Sequence, residues 1–187
     1  MDHYLDIGLL PDPEFSVQIL MNALYSKLHR ALVSLKVNNI GVSFPRYQRR
    51  PKALGNTLRL HGNLAALIEL QKTDWLKGMR DHAAISDVQR VPSVVRYIQI
   101  NRRQYKTNAN RLRRRRMKRK GETYEQALQA IPDSVERKPD LPFLSMRSLS
   151  TGQVFCLFLD QCMAQDKPVA GEFDSYGLSK QATVPWF

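Results

Sequence analysis

The stretch Arg111 to Lys120, RLRRRRMKRK, holds eight basic residues in ten positions, with Leu112 and Met117 as its apolar side chains. On a helix, Arg111, Arg114, Arg115, Lys118 and Arg119 fall at i, i+3, i+4, i+7 and i+8. They form one cationic face about 12 Å long at a rise of about 1.5 Å per residue. Like charges so spaced repel, so the chemistry such a face suits is the binding of phosphates, which would order the helix as they bind. Asn101-Arg102-Arg103-Gln104, just before it, offers two base-reading types: Arg pairs in bidentate fashion with guanine and Gln with adenine. Elsewhere stand residues that could move a proton or hold a sugar. His29, in SKLHRAL, lies one residue past Leu28 at the edge of an apolar helical face. Ser148 and Ser150, in RSLSTG, point to one side if that segment is extended. Taken alone, each reads as structural: a helical histidine, loop-bonding serines and, at Tyr176 in SYGLS, a core aromatic.

The charge is concentrated. The chain of 187 residues carries 29 Lys and Arg against 17 Asp and Glu, and the window from Arg102 to Lys120 holds 11 of the cations and no acid. The remainder is nearly neutral, which indicates one anionic partner docking at one place, with nucleic acid foremost. With 43% hydrophobic residues the chain can bury a real core. The start, MDHYLDIGLL, is acidic where a signal peptide is basic, and no apolar run approaches the roughly 18 residues of a membrane span, so a cytoplasmic location without membrane association is expected. Cys156 and Cys162 are too few for a disulfide framework, and His3, His29, His61 and His82 lie far from them without ligand spacing. Neither a metal nor a cofactor is expected.

The elements that must position these residues follow from periodicity. Leu5, Ile7 and Leu9 alternate with polar or small residues as in a strand, broken at Pro11-Asp12-Pro13. Leu20, Leu24, Leu28, Leu32 and Leu35 mark a helix that Asn38-Asn39 ends. Ile40 to Phe44 and Leu58 to His61 read as hairpin partners, Leu64 to Met79 as a second helical region broken near Thr73, and Val94 to Ile100 as a strand. The order β-α-β-β-α-β predicts a ferredoxin-like domain over residues 1–98. The remainder, 99–187, holds the basic helix at about 108–120, capped by Asn108 or Asn110 and ended by Gly121. A Thr123-x-x-Gln126 capping box and a short helix closed by Pro132 follow. Strands are expected at Leu141 to Arg147, Val154 to Asp160, Phe173 to Tyr176 and Thr183 to Trp186. The fold class is α+β.

Taken together, IGVSFP at Ile40 to Pro45, the R-x-Q of Arg102 and Gln104 ahead of N-x-x-R-L-R-R-R, LPFLSMRSLSTGQ at Leu141 to Gln153, and SYGLS with terminal VPWF resemble one family. It is the CRISPR-associated repeat-RNA endoribonucleases of type I-F systems, and the resemblance covers the whole chain. It implies a ferredoxin-like N-terminal domain and a divergent C-terminal domain with an arginine-rich helix and a small sheet. It also implies a metal-independent cut at the 3′ base of each repeat hairpin: a ribose 2′-hydroxyl attacks the neighbouring phosphate, giving a 2′,3′-cyclic phosphate and a 5′-hydroxyl. The resemblance further implies an enzyme that acts as a monomer and stays on the crRNA hairpin as a subunit of the surveillance complex.

The resemblance assigns roles residue by residue. His29 becomes the general acid/base, for which an ordinary imidazole pKa of about 6.5 is suited. Ser148 constrains the ribose and its 2′-hydroxyl, Ser150 helps at the phosphate, and Tyr176 orients the histidine. Phe155 stacks on the last base pair of the stem, with Val154 and Phe158 facing the other side of the strand. Arg102 and Gln104 read a guanine and an adenine at the stem's foot, and Arg115, Lys118 and Arg119 face the groove beside Arg111 and Arg114. Arg103 and Arg116 add charge that bears on stem preference. The rival reading is a non-catalytic structured-RNA-binding protein, which accounts for the helix but not for His29, Ser148 and Tyr176. DNA reading is disfavoured, because no Asn or Gln interrupts Arg111 to Lys120.

Overall fold

The computed structural model describes residues 1–93, 95–105, 108–136, 140–148 and 150–187. It is an α+β protein whose contacts divide it into two compact units, Met1–Arg102 with Leu141–Phe187, and Arg103–Asp140. This division does not follow the 98/99 boundary read from the sequence, because residues 141–187 pack with the N-terminal part.

In the first unit the alternation of β1 (His3–Leu9) buries Leu5, Ile7 and Leu9. β1 lies antiparallel to β3 (Thr57–Gly62), with Leu5 opposite Leu60 and Ile7 opposite Leu58. β2 (Gly41–Ser43) extends the sheet beyond β3, β4 (Ala83–Ile85) borders β1 on its other side, and β5 (Gln89–Arg90) pairs with the start of β1. α1 (Val17–Leu35) starts at the Ser16 cap and ends at Lys36, which takes the left-handed conformation with φ 53°. It therefore stops ahead of Asn38-Asn39. Its buried stripe of Leu20, Met21, Leu24, Tyr25, Leu28 and Leu32 packs into a core that α2 (Leu64–Lys72) helps to close.

The order β-α-β-β-α-β is present, but its last strand is β4 and not the segment expected near Val94 to Ile100. Ala83-Ala84-Ile85 is too short to carry a periodic signal, and its pairing with β1 is decided by the sheet. The later segment serves other sheets, and Val94 lies outside the described residues. β6 (Arg96–Ile98) pairs with β10 (Val184–Trp186), with Ile98 opposite Val184. β7 (Ile100–Arg103) joins a sheet of order β7-β9-β8, in which β8 (Phe143–Arg147) and β9 (Val154–Gln161) are antiparallel neighbours. Residues 173–176, expected as a strand, form a loop and turn.

The second unit contains α3 (Ala109–Lys120), α4 (Tyr124–Ala130) and a 3-10 turn at Asp133–Val135. Asn108 caps α3 by accepting from Arg111 N, Gly121 ends it at φ 69°, and the capping box of Thr123 and Gln126 opens α4. Leu112 and Met117 are only half-buried; the buried side chains of α3 are Ala109 and Arg113. Among the described residues, no helix is long and apolar enough to cross a membrane.

Candidate functional site

Three side chains of α1 at i, i+4 and i+7 meet consecutive residues of β8. Asn22 Oδ1 accepts from Ser145 N at 3.0 Å, and Ser26 Oγ, which donates to Asn22 O at 2.7 Å, lies 3.5 Å from Met146 Sδ. One helical step further, His29 shares a cavity with Arg147 and Ser148. Seven helical residues advance about 10.5 Å and three strand residues about 10 Å, so the two elements stay in step along this seam. Gln18 extends the seam backwards by donating to Phe143 O at 2.9 Å.

His29 is oriented from the other side by the loop after Phe173. Its Nδ1 lies 2.8 Å from Ser175 O. A carbonyl oxygen only accepts, so Nδ1 carries the proton and Nε2 is left as the basic nitrogen. The Tyr176 ring stacks on the imidazole at 3.9 Å between centroids and 3° between planes. The stack is held by the backbone: the buried Tyr25 hydroxyl donates to Tyr176 O at 2.7 Å, and Asp174 Oδ1 accepts from Tyr176 N at 2.8 Å and Leu178 N at 3.0 Å. Gly177 makes the turn at φ +70°, where an added Cβ would lie 2.7 Å from Val42 Cγ1. Burial holds both tyrosines in the neutral form. It raises Tyr25 well above the ordinary phenol value, Asp174 adding to the effect, and it raises Tyr176 against the opposing pull of Arg102.

Ser148 and Ser150 lie on the turn between β8 and β9. Ser148 N donates to Gln153 O and Gly152 N to Ser148 O, both at 2.9 Å, and Arg147 Nε donates to Gly152 O at 2.9 Å. The segment is thus a closed turn, not extended as supposed; Leu149 lies outside the described residues. The two hydroxyls still approach to 3.2 Å, because the turn folds them together. The cavity, about 290 Å³, is lined by Ser26, His29, Arg30, Met146, Arg147, Ser148 and Gly152. An imidazole, the Ser148 hydroxyl and two guanidinium groups at one hollow can take a proton from a sugar hydroxyl and bind a phosphate. Among the described residues, no three His, Cys, Asp or Glu side chains gather as metal ligands.

The structure brings His29, Tyr176, Ser148 and Ser150 together. Arg102 is exposed, with its Cζ 5.6 Å from the centroid of the half-buried Phe155 ring. Gln104, Arg111, Arg114, Arg115, Lys118 and Arg119 belong to the second unit and are all exposed. None of the five cations has an ion-pair partner among the described residues.

Two other arginines of the run do something else. Arg113, 2% exposed, donates from Nε to Ile131 O at 2.8 Å, from Nη1 to Asn110 Oδ1 at 2.8 Å and from Nη2 to Asp133 Oδ1 at 2.6 Å. Arg116 holds Glu122 through Nε at 2.5 Å and Nη2 at 3.0 Å, and Arg116 in turn keeps the Glu122 carboxyl below its usual range. Arg116 therefore does not simply thicken the basic run. Asn22, Ser26, Tyr25 and Arg113 were missed from the sequence. Only the i, i+4, i+7 spacing of Asn22 and Ser26 with His29 was visible there, whereas the carbonyl of Ser175 leaves no trace in side-chain types.

The family model described as CRISPR-associated protein (Cas_Csy4) matches residues 4–187. Two curated relatives, from Escherichia coli (strain UTI89 / UPEC) and Pseudomonas aeruginosa (strain UCBPP-PA14), are each 47% identical over 187 residues, covering all of this chain and all of the relative. Both are named CRISPR-associated endonuclease Cas6/Csy4. With such full-length identity and a family match spanning nearly every residue, this chain belongs to the Cas_Csy4 family of CRISPR-associated proteins.

Proposed function

We propose that this chain is a metal-independent endoribonuclease that cuts precursor CRISPR RNA at the 3′ base of the repeat hairpin. It then stays bound to the mature crRNA hairpin, in the cytoplasm, as the processing subunit of a type I-F surveillance complex. The observation that carries this reading is the Nδ1–Ser175 bond, which leaves His29 Nε2 basic at a cavity shared with Ser148. In the reaction, Nε2 takes the proton of the ribose 2′-hydroxyl as O2′ bonds to phosphorus. The P–O5′ bond breaks and the leaving 5′ oxygen gains a proton, giving a 2′,3′-cyclic phosphate and a 5′-hydroxyl. Tyr176 fixes the imidazole plane. Ser148 holds the ribose and its hydroxyl, and Ser150, within reach of Ser148, assists at the phosphate. Phe155 stacks on the closing base pair, Arg102 and Gln104 read guanine and adenine, and the exposed face of α3 binds stem phosphates. The enzyme works as a monomer.

The test is incubation of the full chain with a cognate repeat RNA in EDTA, followed by analysis of the product ends. Cleavage to a cyclic phosphate is expected, and a 2′-deoxy substitution at the scissile nucleotide should leave the RNA bound and uncut. Cutting of the deoxy substrate overturns the mechanism. Tight binding with no cleavage of any repeat supports the rival reading, a structured-RNA-binding protein.

A further inference from the structure

β8 is an edge strand of the β7-β9-β8 sheet, so among the described residues no strand pairs with the backbone groups it turns away from β9. Two side chains of α1 take that place. Gln18 Nε2 donates to Phe143 O at 2.9 Å and Asn22 Oδ1 accepts from Ser145 N at 3.0 Å, so a donor and an acceptor meet alternate residues of β8 as a neighbouring strand would. Gln18 Nε2 also donates to Asn22 Oδ1 at 3.0 Å, which joins the two carboxamides into one clamp. Ser26, the next side chain along the seam, turns its hydroxyl back to Asn22 O and meets β8 only at Met146 Sδ. Among the described residues, Asn22 is therefore the last side chain of α1 to hold the β8 backbone by a hydrogen bond before the His29 cavity.

Asn22 does not itself line that cavity. It stands seven residues before His29, and Ser145 stands three before Ser148, so the bond between them fixes how far along α1 the strand carrying Ser148 is set. The apolar contacts of Leu144 and Met146 with the core are non-directional and tolerate a slide that a hydrogen bond does not. Resting on the function proposed above, we propose that Asn22 is a positioning residue for the cleavage reaction. Through Ser145 N it sets the span between His29 and the Ser148 hydroxyl, into which the ribose and its 2′-hydroxyl must fit. Its carboxamide touches neither the RNA nor the transferred proton.

The experiment is single-turnover cleavage of a cognate repeat hairpin by the full chain at saturating protein, with affinity measured on the hairpin carrying a 2′-deoxy scissile nucleotide. Asn22→Ala should cut about tenfold more slowly, since a small misplacement of reacting groups suffices for that, and should bind within about twofold of wild type. The rate should fall alike at every pH, leaving the pH of half-maximal rate unchanged, because the Ser175 carbonyl still holds His29 Nδ1. Asn22→Asp keeps the acceptor and should restore the rate to within about threefold of wild type. Ser145→Pro removes the donor without breaking a bond to β9, and combining it with Asn22→Ala should cost no more than either change alone. Wild-type cleavage by Asn22→Ala, an Asn22→Asp no faster than Asn22→Ala, or losses that add in the double variant overturn the proposal. So does an affinity that falls with the rate, or a shifted pH of half-maximal rate, either of which makes Asn22 part of the general fold or of the imidazole's surroundings. Should Ser145→Pro not fold, the two Asn22 variants decide the matter alone. A wild type that neither binds nor cuts any repeat hairpin overturns the proposed function itself, a distinguishable outcome.

Discussion

In the unit that carries His29, orientation comes from neutral contacts: a carbonyl on Nδ1, a tyrosine ring against the imidazole, and a buried phenol on the next backbone carbonyl. In residues 103–140 the arrangement is inverted, because the side chain at the centre of the helical pair is a guanidinium. Arg113 ties α3 to Asp133 and to the backbone after α4, and Arg116 ties the end of α3 to Glu122. Few apolar side chains are available there, so hydrogen bonds of known direction take the place of a hydrophobic core. The difference teaches that the basic run is not one feature. Five exposed cations have no ion-pair partner among the described residues, Lys120 lies 4.0 Å from Glu122, and Arg113 and Arg116 are engaged within the unit.

The contrast breaks most readily at His29. His29→Ala should lower the cleavage rate by about 10²- to 10⁴-fold and leave hairpin affinity within about twofold, measured by single-turnover cleavage and filter binding. Equal losses of rate and affinity would make His29 structural.

Arg113→Met tests the other unit. Although Arg113 is buried, losing it should cost on the order of tenfold in hairpin affinity, more than any single exposed cation, because several phosphate contacts lose their alignment together. Amide exchange should quicken through α3 and α4 and stay slow in β1 and β3. Unchanged exchange in α3 would show that Arg113 does not hold the unit.

A smaller effect separates the units by acid. Burial, with Arg59 and the N-terminal ammonium adding to it, pushes His61 down to about 3, and its Nε2 lies 2.8 Å from Ser43 Oγ. The folded pKa is depressed, so the stability it reflects is fully present above the unfolded value of about 6.5. That stability is lost as pH falls, because the unfolded chain takes up a proton that the folded chain refuses until about pH 3. Between pH 7 and 5.5 this amounts to about 1.3 kcal/mol. Urea titrations of wild type and His61→Gln at both pH values should show the loss in wild type alone. All four histidines lie in the first unit, so no such slope is expected for residues 103–140.

Last, the exposed cations should divide in two. Arg102→Ala should cost about 1 to 3 kcal/mol on the cognate stem and relax preference for its guanine. Arg115→Ala should weaken stems of different sequence alike and reduce the magnitude of the log-affinity against log-salt slope by up to about one. A changed base preference with an unchanged slope in Arg115→Ala would make α3 a base reader.

Much of this was legible from local pattern. The alternation of Leu5, Ile7 and Leu9, the leucine stripe of α1, the Thr123 capping box and the Asn108 and Gly121 ends of α3 are signals within one element, so sequence alone determined them. So was the concentration of charge between Arg102 and Lys120, since charge is carried by residue type. Family motifs pointed to His29, Ser148, Ser150 and Tyr176, without a geometry. Tertiary structure alone decided which strand completes the first sheet, because Ala83-Ala84-Ile85 gains its identity from a partner 74 to 78 residues away. It also decided the tautomer of His29, set by a carbonyl 146 residues on, and the turn that folds Ser148 against Ser150. And it decided that Arg113 is core while Arg114 and Arg115 are surface. Adjacent arginines are identical as letters, and only the direction in which each leaves the helix relative to α4 and Asp133 tells them apart.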